Sequence, residues 1–179
     1  MALPQQKFRE LVFQVLYSLE LGGSEKDEII TLLMKELQVT RRSVREAYEK
    51  VERILTKRAE IDEILTRISI SYSFERIQTV EKNILRLSLY ELLHEEDLPK
   101  KVVIAEAVRL ARKFGTPESA NFVNALLDAV YKESLGEPKD LESIKLLAET
   151  LQKNEDQIQE KLQELRDAEA IPEKEHPAE

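Results

Sequence analysis

Few residues in this chain are equipped for chemistry. With two histidines and no cysteine, neither a thiolate zinc site, a disulfide framework nor a histidine-based triad can be assembled. His94 falls in a polar turn and His176 in the C-terminal end. No Walker-type or GxGxxG loop is present to cradle a nucleotide phosphate. Carboxylates are plentiful, but the charged outer faces of the helices described below account for them. Glu91, Glu95 and Glu96 read as solvated charges and not as acid–base catalysts. The expectation is a protein that is not an enzyme, with no cofactor and no metal. What remains is suited to nucleic acid. Lys7 and Arg9 open the first helix, Lys100 and Lys101 open a later one, and Phe122 is an aromatic on the helix after that. Cations pair with phosphate, and an aromatic face stacks on unpaired bases. Each also has a plain reading, as a solvated charge or as a core side chain.

The element that must position these groups is the stretch from Leu98 to Glu133. Asp97 and Pro99 provide a start signal and Phe114-Gly115 a stop. Between them Val102, Val103, Ile104, Ala105, Ala107, Val108, Leu110 and Ala111 leave almost no polar face, which predicts a helix through the middle of the molecule. Thr116-Pro117-Glu118 opens a second helix with a hydroxyl cap, an early proline and an acid at the positive dipole end. Its stripe is Phe122, Val123, Leu126, Leu127 and Val130.

Earlier in the chain, Phe8, Leu11, Val12, Val15, Leu16 and Leu19 form an i, i+3, i+4, i+7, i+8 stripe, with Phe13 and Tyr17 beside it. Tyr17 reads as part of a wide core face or as a partner contact. Gly22-Gly23 ends this helix, and Ser24 with Asp27 resembles a capping box for a shorter one over Ile29–Leu37. Thr40 caps a third, whose apolar spacing continues from Val44 to Ile68. Serines across 69–73 break it. Val80–Leu93 then supplies the predicted partner of the central helix. Past Gly136-Glu137-Pro138, Ile144, Leu151, Ile158 and Leu165 recur every seven residues, but Asn154 and Lys161 stand where companions belong. That predicts a solvated or loosely docked helix, with disorder from Ile171 onward.

Four glycines and six prolines in a chain that is 35% charged indicate long helices with few turns. No apolar run approaches the roughly 18 residues of a membrane span, and charges interrupt Met1–Ser18, unlike a signal peptide. A cytoplasmic all-α protein is expected, without a membrane role. The net charge is −8, and from Glu137 onward thirteen acids face six bases. The acidity therefore sits in the tail and the body is near neutral. Such a tail, tethered to the body, can compete with RNA at low salt.

VEKNILRLSLYELL, KVVIAEAVRLARKFG and FVNALLDAV together resemble the NusB family of bacterial transcription antitermination factors, over about Lys7 to Glu133. The resemblance implies a helical bundle of two small subdomains, about 1–70 and 71–135, forming an RNA-binding domain over 1–135; the charge and spacing read above leave 136–179 as an acidic extension, partly helical and then disordered. It implies binding of single-stranded boxA-like RNA through Lys7, Arg9, Lys101, Asn121 and Phe122. Gln5, Gln6 and Phe8 do not continue the arginine-rich segment typical there, and Asn121 stands where a basic residue is common. It further implies a heterodimer with NusE, a small-subunit ribosomal protein, through Tyr17, Glu75 and Glu81, within an RNA polymerase antitermination complex. The chain itself is expected to be a monomer or weak homodimer. Two alternatives are a detached ribosomal-RNA recognition module serving a methyltransferase, and a protein-interaction bundle that has lost RNA binding.

Overall fold

The computed structural model describes residues 3–22, 26–69 and 74–169. Among these residues the chain is all-α: α1 (Gln5–Leu21), α2 (Lys26–Leu37), α3 (Arg41–Thr56), α4 (Arg58–Ile68), a short 3₁₀ turn (Phe74–Arg76), α5 (Thr79–His94), α6 (Lys100–Phe114), α7 (Pro117–Ser134) and α8 (Leu141–Glu169). No described helix is long and apolar enough to cross a membrane. The glycine and serine signals at 23–25 and 70–73, and the end from 170, lie outside the described residues.

At α3 and α7 the start signals act as their chemistry predicts, whereas α6 begins after Pro99 with no side-chain cap from Asp97. Thr40 Oγ1 accepts from Ser43 N at 3.2 Å to open α3. Thr116 and Ser119 form a reciprocal capping box at α7. The long apolar run after Thr40 divides in two at Lys57, whose N–H closes the end of α3 on Ile54 O at 3.0 Å. At the α6–α7 corner, a Cβ on Gly115 would meet Ala111 O and the Ser119 side chain at 3.0 Å. Glycine lets the two helices close there.

The middle of the molecule is α5, not α6. Every residue of α5 from Asn83 to Leu92 is buried, including Arg86, Ser88 and Glu91. Its neighbours are α1, α3, α4, α6 and α7. α6 is apolar in composition but lies on the outside: Val102 is 46% exposed, Ala105 is exposed, and Ile104 and Val108 are only half-buried. Counting apolar residues cannot separate these two helices, because α5 buries charged residues and α6 exposes small ones. Glu91 is likewise not solvated but buried.

The extension also differs from the expectation of loose docking. α8 packs on α7, and Ile144, Ala148 and Leu151 are buried. Their i, i+4, i+7 spacing is an ordinary 3.6-residue stripe, completed by Ala148 and not by the heptad positions Asn154 and Lys161. Beyond it the helix projects, with Ile158, Leu162 and Leu165 exposed. Leu151→Ala should therefore destabilise the protein by about 2–5 kcal/mol and lower the melting temperature by several degrees. Ile158→Ala should leave the thermal melt unchanged, and equal melts for both variants would show that α8 is not docked.

Candidate nucleic-acid and partner interface

Three buried charged residues of α5 reach four neighbouring helices, α1, α3, α4 and α7. Glu91 accepts from Arg9 Nε of α1 at 3.0 and 3.2 Å and from Lys50 Nζ of α3 at 2.7 Å. Lys50 also reaches Glu95 at 3.0 Å. Arg86 donates to both oxygens of Asp62 on α4 at 2.8 Å and to Glu20 on α1 at 2.7 Å. Burial opposes the Arg86 charge, but the Asp62 and Glu20 carboxylates outweigh it and hold its pKa above the ordinary value. Glu81, at the first turn of α5, accepts from the Ser119 hydroxyl of α7, while its Oε2 has no hydrogen-bond partner.

These contacts decide which expected site residues reach the surface. Lys7, Lys101 and Asn121 are exposed. Arg9 is not, at 4% exposure. It shares the α1 face of Val12 and Leu16 and supplies the charge that buried Glu91 needs. Phe122 is completely buried, as one member of the α7 stripe with Val123, Leu126 and Leu127. Neither Arg9 nor Phe122 presents its side chain to a ligand in this conformation. On the expected partner side, Glu75 is exposed and Tyr17 half-buried against Phe13, with ring centroids 6.0 Å apart. Glu81 is 3% exposed and faces α7 instead of solvent, because its carboxylate bonds the helix-capping serine.

A second array lies where α1 meets α6. Gln6 Nε2 donates to Glu106 at 3.0 Å. Glu10 accepts from Arg109 at 2.5 Å and from Lys113 at 2.7 Å, and Arg109 also bonds Glu106 at 3.0 Å. Burial pushes the Glu10 carboxyl up, but hydrogen bonds and charge from Lys113 and Arg109 prevail and hold it below the usual carboxylate range. The partners lie about a hundred positions apart in the chain, and no local spacing announces them. Among the described residues no group of three or more His, Cys, Asp or Glu is placed to hold a metal ion.

α8 reaches the start of α5. Gln78, just before α5, donates to Glu155 of α8 at 2.9 Å. Desolvation pushes the Glu155 carboxyl up, and the nearby charge of Glu81 adds to the shift.

The family model for the NusB family matches residues 6–132. The chain is 37% identical over 131 residues to a transcription antitermination protein NusB from Chlamydia pneumoniae, covering 73% of this chain and 82% of that protein. It is 39% identical over 124 residues to one from Desulfitobacterium hafniense, covering 68% and 84%. Among solved structures it is similar to T. maritima NusB, with a TM-score of 0.63 and 32% identity over 74% of this chain and 94% of that one. It is also similar to a chain in a crystal structure of the antitermination factors NusB and NusE in complex with double-stranded RNA, with a TM-score of 0.61 and 28% identity over 72% and 96%. α8 lies outside the matched residues.

Because Glu155 has a higher pKa folded than unfolded, the folded chain binds more protons over the interval between the two values. Its contribution to stability is therefore gained as pH falls through that interval and lost as pH rises. Glu155→Gln should raise the melting temperature at about pH 7 and remove part of the stability that the parent gains on going to about pH 5. Parallel stability-versus-pH curves for parent and variant would show that this carboxylate plays no such part.

Proposed function

The chain belongs to the NusB family, whose members are transcription antitermination proteins and not enzymes, and from that premise we propose that it is a non-catalytic RNA-binding adaptor. It binds single-stranded boxA-like RNA together with a NusE-type partner and acts within an RNA polymerase antitermination complex. The observation that carries this reading is the seam between α1 and α6. The Gln6–Glu106 and Glu10–Arg109 bonds seat the start of α1 alongside the helix that bears Lys101. Exposed Lys7 and Lys101 thereby share one region of the surface with basic groups already held in place.

The NusB–NusE–RNA complex among the similar structures supports both a protein and an RNA partner for this fold. Lys7, Lys101 and Asn121 are the residues of the expected set that can meet RNA directly. Arg9 and Phe122 act beneath the surface, the first by holding α1 on α5 and the second by packing α7. On the partner side Tyr17 and Glu75 are the accessible candidates, and carboxylates there suit a basic protein. Glu81 serves by fixing the start of α7 through Ser119.

Withdrawal of Arg9 from the surface favours a second reading, a protein-interaction bundle that no longer binds RNA. The two separate in one experiment. Few phosphate contacts give weak binding by the isolated chain, and a partner bound beside the RNA adds contacts and couples the two events. RNA affinity should rise at least about tenfold with the partner, a coupling of about 1.4 kcal/mol. Lys7→Ala with Lys101→Ala should weaken RNA binding and spare the heterodimer, whereas Glu75→Lys should weaken the heterodimer first. RNA affinity that the partner leaves unchanged would discard the adaptor in favour of the interaction bundle.

A further inference from the structure

In a chain of net charge −8, α6 carries five bases and a single acid. No other helix has a comparable excess; α3 has five bases but also three acids. The one acid, Glu106, is buried and held by Gln6 and Arg109. The outer face of α6 therefore shows no carboxylate of its own. Lys101, Ala105, Val108, Arg109 and Arg112 fall at i, i+4, i+7, i+8 and i+11, which places them on one side of the helix. Lys101, Ala105 and Arg112 are exposed, and Val108 and Arg109 half-buried. At about 1.5 Å per residue the strip runs about 16 Å from Lys101 to Arg112.

Some exposed cations elsewhere are paired along their own helix or to a neighbour, as in Arg42–Glu46, Lys57–Glu60 and Lys132–Asp128, and others, such as Lys35, Arg45 and Arg53, are isolated on helices that also carry several acids. Among the described residues neither Lys101 nor Arg112 has an ion-pair partner. Arg109 pairs with both Glu10 and Glu106, and Lys113 with Glu10, which fixes these two cations at the edge of the strip and leaves Lys101 and Arg112 as its unneutralised charges. The side chains between the cations along the strip, Ala105 and Val108, are small, and its only aromatic, Phe114, lies under Lys113 at its edge. Such a surface suits a flexible polyphosphate chain more than a peptide, which needs an apolar anchor for affinity.

We propose that the outer face of α6, from Lys101 to Arg112 with Lys113 at its edge, is a track for the backbone of single-stranded RNA, so that Arg112 and Lys113 bind phosphates beyond those met by Lys7 and Lys101. This rests on the RNA-binding reading above and extends it by a residue set and a direction, along α6 toward the start of α7. Glu10 acts as a positioning residue, holding Arg109 and Lys113 toward the strip.

The test is a salt titration of full-length protein with an unstructured, fluorescently labelled single-stranded RNA, with folding of each variant checked by thermal melting. Each phosphate contact contributes about 0.7 to the slope of log affinity against log salt. Arg112→Ala with Lys113→Ala should flatten the slope by about 1.4 and weaken binding about tenfold at low salt. Lys145→Ala, an exposed cation on α8, should change neither. Lys7→Ala with Lys101→Ala is measured in parallel. If that pair weakens binding while Arg112/Lys113 does not, the track is wrong and the adaptor reading stands. If the parent binds no RNA, both fall. Displacement of the RNA by polyglutamate at equal charge concentration would also overturn the track, identifying the strip as an acceptor for acidic protein.

Discussion

The arrangement depends on the need to neutralise charges that α5 carries into the core. A helix buried from Asn83 to Leu92 that contains Arg86 and Glu91 cannot be wrapped by apolar neighbours alone. Each charge demands a counter-ion from a different helix. Glu91 takes Arg9 and Lys50, and Arg86 takes Asp62 and Glu20. These pairs contribute little net stability, because desolvation offsets most of their attraction. Their effect is on register. Removing one member strands a buried charge at about 3–5 kcal/mol, whereas an exposed, solvent-screened pair such as Arg42–Glu46 contributes far less. A slide of α1 or α4 along α5 by one turn breaks the buried set, so alternative packings are excluded by several kcal/mol even where the apolar surfaces would tolerate them.

That constraint explains what was legible in the sequence. Helix existence was, because apolar spacing and capping residues are local. Thr40, Thr116 and Pro117 act at helix starts as their side chains dictate. The identity of the central helix was not. α6 reads as more apolar than α5, yet its small residues lie outside while α5 hides its charges in pairs with residues 24 to 82 positions away. Charge in a sequence signals solvent unless the partner is known, and the partner here is a tertiary fact. The half-docked α8 was missed for a different reason. A seven-residue repeat drew attention to Asn154 and Lys161, when Ala148 one position on from Leu147 completes the buried stripe.

The same logic redistributes the candidate site. Residue types and family likeness marked Arg9 and Phe122 as ligand contacts, and both are committed to the interior. Lys7, Lys101 and Asn121 remain outside because they lie on faces of α1, α6 and α7 that no other helix covers. The Glu10–Arg109–Lys113 array had no sequence signal at all, since its spacing of roughly a hundred residues is set by how α1 lies against α6. Arg9 also shows why a basic N-terminal segment cannot be read by counting. One arginine cannot both neutralise Glu91 in the core and meet a phosphate at the surface.

The acidic extension takes on another character once its first turns are fixed to α7. A freely tethered tail would sample the whole surface and oppose any polyanion that approached the basic face. Docking at Ile144, Ala148 and Leu151 removes that freedom. The remaining acids, from Glu155 and Asp156 to Glu160, Glu164 and Asp167, project along a continuous helix for about 20 Å. At physiological salt the screening length is about 8 Å. Charges held on a helix contribute little at any group farther away than that. The contact that persists is the short-range one, where Gln78 binds Glu155 beside Glu81. The influence of the extension on the body is therefore steric and local, through the edge where α5 begins, and any longer-range electrostatic effect is confined to low salt.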